Sequence, residues 1–358
     1  MSSDFQTGLE HCLSEPPAVL RHARLGLLMN QASVSETLGY SSDLLATRFP
    51  KQLVSIFPPH HGTWGEQQAS MIGTSHTRHA ELEIPVYSLY SETRRPTADM
   101  LADLDCLVID LQDVGTRVYT FIWTMLECIR ACSESGKAVV VLDRPNPLGG
   151  QTVEGPLLEN GFESFVGNAC IPMRHGLTMA ELARWFVREF QIDVELHVVP
   201  MRGWRRNMFF EASGRRWLWP SPNMPSVSTT IVYPGQVLLE GTLLSEGRGT
   251  TRPFEVAGAP YIDAREWVTE LNRLAHPGLV LRPLYFCPTF DKWQGHSCGG
   301  VDWQIIDPQK VRSVQTTVGL IACAASLYDE HFASLEPPYH YELHKPPIDL
   351  LFGSARLR

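Results

Sequence analysis

Five short apolar runs, each closing on polar or glycine-containing residues, limit what this chain can become. They lie at 25–29, 53–57, 84–90, 106–111 and 138–142. The stretches between them read as helices: 5–22 with a break at Pro16-Pro17, a short one ending at Arg48, one capped by Thr97 and running to Leu104, and a long one over about 117–135. Continuous apolar strands alternating with helices mean a parallel sheet covered on both faces. Such sheets open into a crevice at the carboxyl ends of their strands, and ligands bind there. The loops after residues 57, 111 and 143 are therefore the first places to look for chemistry.

After 145 the pattern changes. Residues 144–176 are rich in Pro and Gly and mark a boundary near 150. Thr178 and Glu181 form a Thr-x-x-Glu capping box for a helix to about Phe190, followed by a strand at 194–199. Residues 200–260 show little periodicity. A helix at 262–275, strands at 279–286 and 300–306 and a helix at 308–333 complete a second unit, with a Pro-rich tail expected on the surface. The expected fold is α/β: a Rossmann-like parallel-sheet domain at 1–150, a smaller α/β domain at 151–358, and a cleft between them. No GxGxxG follows the first strand, so no dinucleotide is expected, and no other cofactor is called for.

Composition excludes several classes. The net charge of -9 over 358 residues argues against a nucleic-acid binder. No run of 18 apolar residues exists, and Met1–Phe5 lacks a basic or apolar leader. The expectation is a cytoplasmic protein whose partner is a small molecule, neither a nucleic acid nor a membrane. The eight cysteines are scattered without a CxxC pair and read as reduced thiols.

Four clusters carry candidate chemistry. The first is the loop Phe57–Gln68, with His60, His61 and Glu66. Adjacent histidines point to different sides, and with His76 and His79 they show no HxxxH or HxH spacing, so no metal is expected. Glu66 is a candidate general acid/base; its bland reading is a solvated or capping carboxylate. The second cluster, at the end of the most strand-like run, holds Asp110, Gln112, Asp113 and Arg117. The aspartates are acid/base or hydroxyl-binding candidates, and Asp113 equally reads as a helix cap. The third holds Asp143, Arg144 and Asn146, leading to Glu154; Asp143 and Asn146 read as hydroxyl ligands, and Asp143 and Arg144 equally as an ion pair in a turn. The fourth is the densest: Asn223, Tyr233, Glu240, then Glu246, Arg248, Thr250 and Arg252 among glycines. Gly, hydroxyl, carboxylate and guanidinium alternating in a loop have little packing value, and an Arg fork reads a carboxylate with two parallel hydrogen bonds. Carboxylates, hydroxyl binders, arginines and the aromatics Trp64, Trp204, Trp217, Trp219 and Tyr233 together suit a sugar site.

Long blocks in one order carry a resemblance. They include 26–32 (Gly-Leu-Leu-Met-Asn-Gln-Ala), the loop 57–68, 85–90 (Pro-Val-Tyr-Ser-Leu-Tyr), 110–117 (Asp-Leu-Gln-Asp-Val-Gly-Thr-Arg), 142–150, 153–156, 174–178, 220–225 (Pro-Ser-Pro-Asn-Met-Pro) and 239–254. Nearly end to end, the chain resembles the exo-β-N-acetylmuramidase family of NamZ type, formerly a domain of unknown function. The resemblance implies the two-domain fold above and release of N-acetylmuramic acid from the non-reducing ends of peptidoglycan fragments. With the four clusters, the catalytic candidates are His60, His61, Glu66, Asp110, Glu154 and Glu246. The substrate-ligand candidates are Asn30, Gln112, Asp113, Arg117, Asp143, Asn146, Asn223, Tyr233, Arg248, Thr250 and Arg252. Arg248 and Arg252 then gain a partner that other hexosamines lack, the lactyl carboxylate.

One position departs from the family. Where relatives usually carry Glu-His-Gly, this chain has His60-His61-Gly62. Either another carboxylate such as Glu66 takes the acid/base role, or the His60 imidazole does, or the protein binds amino sugars without cleaving them. Many relatives are exported, and the lack of a leader points to recycled fragments inside the cell.

Overall fold

The structure, a computed structural model, describes residues 5–60, 75–90 and 92–358. The chain gathers into two compact units, each assembled from separated segments. The first takes the chain up to Gly115, then Tyr119–Gln151 and Gly176–Pro225; the second takes Thr116–Val118, Thr152–His175 and Ser226–Arg358.

The first unit is built on β1 (Leu25–Met29), β2 (Leu53–Phe57), β3 (Thr77–Arg78), β4 (Pro85–Val86), β5 (Cys106–Asp110) and β6 (Ala138–Leu142). The chain then supplies the hairpin β7 (Glu154–Leu157) and β8 (Pro172–Arg174) to the second unit. It returns to the first with β9 (Leu196–Val199). The seven-stranded sheet runs in the order β3-β4-β2-β1-β5-β6-β9, parallel except for β3. Strands β1, β5 and β6 are buried along their whole length. That explains their unbroken apolar sequences, since each buried Leu or Val contributes about 1.5–3 kcal/mol.

Helices α1 (Gly8–Ser14) and α2 (Ser41–Arg48) supply Leu9, Cys12 and Leu45 to the core under Leu25, Leu27, Met29, Val108 and Val140. The short α3 (Ala98–Leu101) precedes β5. Helices α4 (Phe121–Glu134) and α5 (Met179–Glu189) pack on β6 and on each other, with the Trp123 and Phe186 rings 5.5 Å apart. The capping box on α5 has both its bonds: Thr178 Oγ1 accepts from the Glu181 amide at 3.3 Å, and the Thr178 amide donates to Glu181 Oε2 at 3.0 Å.

Several expectations need correction. The helix expected over 5–22 covers only Gly8–Ser14, and the break expected at Pro16-Pro17 separates it from a single 3-10 turn at Ala18–Leu20. The helix expected from 117 starts at Phe121, because Thr116–Val118 pairs with the second unit and the Arg117 amide donates to the Met173 carbonyl at 2.7 Å. A single boundary at 150 gives way to a discontinuous division, because β9 adds to the free edge of β6 and brings 176–225 with it.

In the second unit β10 (Val256–Ala259), β11 (Leu279–Phe286) and β12 (Cys298–Ile305) form an antiparallel sheet in the order β10-β12-β11. The stretch read as irregular contains α6 (Val227–Gln236), whose amide at Thr229 donates to the Ser226 side chain at 3.0 Å. Pro234 and Gly235, both buried inside it, hide it from a reading based on helix breakers. Helices α7 (Ala264–Leu271), α8 (Ser313–Leu327) and α9 (Pro347–Phe352) complete the unit. The tail is no surface appendage: Ile348, Leu350 and Leu351 are buried, and α9 lies so close to Gly241 that a Cβ there would come within 2.6 Å of the Ile348 backbone.

Candidate functional site

Strand β1 has β2 on one side and β5 on the other, so the sheet changes its direction of winding between β1 and β5. The loops after those strands are splayed apart at such a switch point, and a crevice results. A pocket of about 190 Å³ lies there, lined by Ala32 and Val34 after β1, Gln112 after β5, Arg144 and Pro145 after β6, and Arg216 among others.

Arg144 of this lining belongs to a buried ion pair. Arg144 Nε reaches Asp110 Oδ1 at 2.6 Å and Arg144 Nη2 reaches Asp110 Oδ2 at 2.8 Å, while Nη2 also donates to the Val34 carbonyl at 3.0 Å. Both side chains are buried, so the two-pronged geometry offsets their desolvation. Asp110 was expected as an acid/base group, and its carboxylate is instead tied to Arg144. Asn30 Nδ2 donates to the Gln112 carbonyl at 2.9 Å, and Gln112 Nε2 donates to the carbonyls of Asp113 and Pro145 at 2.8 and 3.0 Å. Asn30 and Gln112 thus stitch the three loops together.

Asp113 Oδ2 accepts from the Gly115 amide at 2.7 Å. Gly115 has φ +79°, and a Cβ on it would lie 2.3 Å from Asn146 Oδ1. Asn146 in turn accepts from the Leu148 amide at 2.9 Å and donates to the Leu177 carbonyl at 3.0 Å. Asp143 accepts from Thr178 Oγ1 at 3.1 Å and from the Ala180 amide at 3.0 Å, at the start of α5. Burial pushes its carboxyl up to about 6 against those hydrogen bonds. Asp143 and Asn146, expected as substrate ligands, hold turns and a helix start. Asn223 is buried in a turn closed by the Met224 amide donating to the Ser221 carbonyl at 3.0 Å.

His60 follows β2, beside β1. It is buried, and its ring stacks on Tyr90 with centroids 3.8 Å apart and planes 29° apart. His61 and Glu66 lie outside the described residues. Among the described residues, no three of His, Cys, Asp and Glu come together to hold a metal.

The remaining candidates belong to the second unit, where most are engaged with their own chain. Arg117 is buried and donates to four carbonyls: Pro156 (2.8 Å), Ile171 (3.1 Å), Leu351 (2.9 Å) and Phe352 (2.9 Å). Burial pulls its guanidinium down to about 10. It ties together four segments of the second unit. Glu154 accepts from the Gln315 amide in the first turn of α8 at 3.0 Å, and burial raises its carboxyl above the ordinary range; the expected catalytic acid is a helix-end partner.

In the glycine-rich loop, Arg248 Nη2 donates to Glu240 Oε1 at 2.7 Å, and Arg248 Nε lies 3.2 Å from Glu246 Oε1. The other oxygen of Glu246 takes Lys292 Nζ at 2.7 Å, and Tyr339 Oη donates to Glu240 Oε2 at 2.6 Å. Burial alone would raise the Glu240 carboxyl; Arg248 and Tyr339 outweigh it and hold it below the ordinary range. Arg252 binds Asp302 Oδ1 at 2.5 Å and Glu255 Oε2 at 3.2 Å. Thr250 Oγ1 donates to the Gly247 carbonyl at 2.6 Å, and Tyr233 packs edge-on against Phe254 at 4.8 Å. The arginines expected to read a substrate carboxylate read carboxylates of this chain, and Glu246, expected to be catalytic, is clasped between Arg248 and Lys292. Lys292 and Tyr339 were not anticipated, because each closes the network from a distant segment with no local motif.

Two family models account for almost all of the chain. The model described as exo-beta-N-acetylmuramidase NamZ, N-terminal, matches residues 25–228, and its C-terminal counterpart matches 231–358. The chain belongs to the NamZ family. The junction of the two models near 230 falls where the last segment of the first unit ends. A similar protein is the Peptidoglycan beta-N-acetylmuramidase NamZ of Bacillus subtilis (strain 168), 44% identical over 330 residues, which are 92% of this chain and 80% of that one. Two solved structures of DUF1343 family proteins from Bacteroides fragilis NCTC 9343 share the NamZ fold. One has TM-score 0.89, 32% identity and coverage of 100% of this chain and 93% of its own; the other has TM-score 0.75, 26% identity and coverage of 99% and 89%.

Proposed function

We propose that this NamZ-family protein is a glycoside hydrolase of the exo-β-N-acetylmuramidase type. It releases N-acetylmuramic acid from the non-reducing ends of peptidoglycan fragments. The observation that carries the reading is the match of both family models together with 44% identity to the B. subtilis protein of that name. The first unit supports it with a pocket at the switch point of a parallel sheet, the usual ligand position in such folds.

His60 stands where relatives usually carry glutamate, and in this reading the imidazole takes over the acid/base work. An imidazole exchanges protons near neutral pH, and a positioned acid/base contributes 10²–10⁴-fold to such reactions. Asn30 and Gln112 join the loops after β1, β5 and β6.

Hydrolysis of a chromogenic β-N-acetylmuramide, with the matching glucosaminide as control, tests the activity. Turnover of the muramide alone is expected. Binding of N-acetylmuramic acid without turnover would return the chain to a non-catalytic sugar binder. His60→Gln is expected to lower kcat by about 100-fold; parental kcat in that variant would remove His60 from the mechanism.

A further inference from the structure

The covalent geometry of a histidine leaves its ring loosely oriented, because the torsion that turns the imidazole is broad and roughly two-fold. A proton-transferring ring must nevertheless be held to about 10–20°. Something beside His60 has to supply that constraint. The ladder between β2 and β4 identifies it. Ile56 pairs with Val86. Beyond the strands the chains stay side by side: the Tyr87 amide donates to the Ile56 carbonyl at 2.9 Å, and the Leu89 amide donates to the Pro58 carbonyl at 3.0 Å. Counting four residues on from Ile56 and from Val86 gives His60 and Tyr90. Their rings are stacked at 3.8 Å.

Resting on the reading of His60 as the acid/base, we infer that Tyr90 is its positioning residue: the register of the β2–β4 ladder sets the phenol ring against the imidazole and fixes its orientation. Tyr90 is itself immobilised. It is 2% exposed, its amide donates to Ser88 Oγ at 3.1 Å, and the Arg94 guanidinium lies 5.8 Å from its ring centre. Neither Tyr90 nor Arg94 was among the residues the sequence picked out. A glutamate at position 60 has no ring to stack, so the pair belongs to the histidine form of this site. The stack is the feature that lets an imidazole replace a carboxylate at the end of β2.

A four-protein cycle tests this on the chromogenic muramide: the parent, Tyr90→Leu, His60→Gln and the double variant, with Tyr90→Phe alongside. Tyr90→Leu is expected to lower kcat by about tenfold with KM nearly unchanged in the protein that remains folded, since it removes part of the contribution of one positioned acid/base. Tyr90→Phe, which keeps the ring, recovers most of it. In the His60→Gln background the leucine substitution has no further effect. By NMR, the His60 ring-proton resonance, assigned by its loss in His60→Gln, shifts in Tyr90→Leu and stays in place in Tyr90→Phe. Parental kcat in Tyr90→Leu, an equal drop in both backgrounds, a Tyr90→Phe loss as large as that of Tyr90→Leu, or an unmoved His60 resonance overturns the inference. Parental kcat in His60→Gln alone overturns the reading of His60 beneath it, and the single variant reports that failure separately.

Discussion

Two arginines, the buried Arg144 at the strand ends of the first unit and the half-buried Arg248 in the glycine-rich loop of the second, show how differently similar sequences are used. Arg144 meets one carboxylate, Asp110, with both prongs, and Arg144 lines a pocket. Arg248 lies between two carboxylates, Glu240 and Glu246, which are held in turn by Tyr339 and Lys292. The first arrangement leaves the loops above it to shape a cavity. The second closes a loop on itself. Alternating charges and glycines in a loop therefore do not by themselves announce a ligand: a chain can meet its own hydrogen-bonding demand internally.

The sharpest way to break this contrast is Arg248→Met. If the loop is self-satisfied, the buried Glu246 and the half-buried Glu240 lose their cation, and stability falls by about 3–5 kcal/mol, read by denaturant unfolding. An unchanged midpoint with a raised KM for the muramide would make Arg248 a substrate reader after all. Arg117→Met comes next. Removing the donor to four carbonyls is expected to cost about 2–4 kcal/mol, with KM unaffected in the protein that remains folded.

Asp143 sharpens the comparison through pH. Its folded carboxyl titrates at about 6, above the ordinary value of about 3.9. Between those values the folded protein keeps a proton that the unfolded chain has lost, so stability falls as pH rises through the window, by about 2–3 kcal/mol in total. Melting midpoints from pH 4.5 to 7.5 should show that slope in the parent and lose it in Asp143→Asn. The smallest effect belongs to Thr178→Ala, which removes one half of the capping box and a donor to Asp143. A loss of about 1 kcal/mol is expected; a loss within error would mean that Glu181 and Asp143 hold α5 without it.

The sheet was legible because buried parallel strands have no polar face to blur their outline, and β1, β2, β5 and β6 coincide with the apolar runs. The capping box on α5 was legible because its signal spans four residues. What escaped were features decided at long range. Helix α6 carries Pro234 and Gly235, yet its burial outweighs their poor propensity. Arg117 looked like a loop ligand because its four acceptors come from 156, 171, 351 and 352. Lys292 is 46 residues from its partner Glu246 and has no motif around it. Tyr90 was within reach: once the two strands are placed side by side, counting along them sets it against His60.

The grip of Arg117 on the carbonyls of Leu351 and Phe352 has a consequence for how the protein is made. These partners lie 234 and 235 residues apart along the chain. On a ribosome, the sheet of the first unit has all its strands once residue 199 has emerged. The second unit must wait until residue 352 is free, with a cationic side chain at 117 already in place and its last two acceptors still unmade. During that interval the nascent chain carries an unfinished half, and a chaperone or a slow stretch of translation acting once residue 225 has emerged and before residue 352 has would act on the second unit.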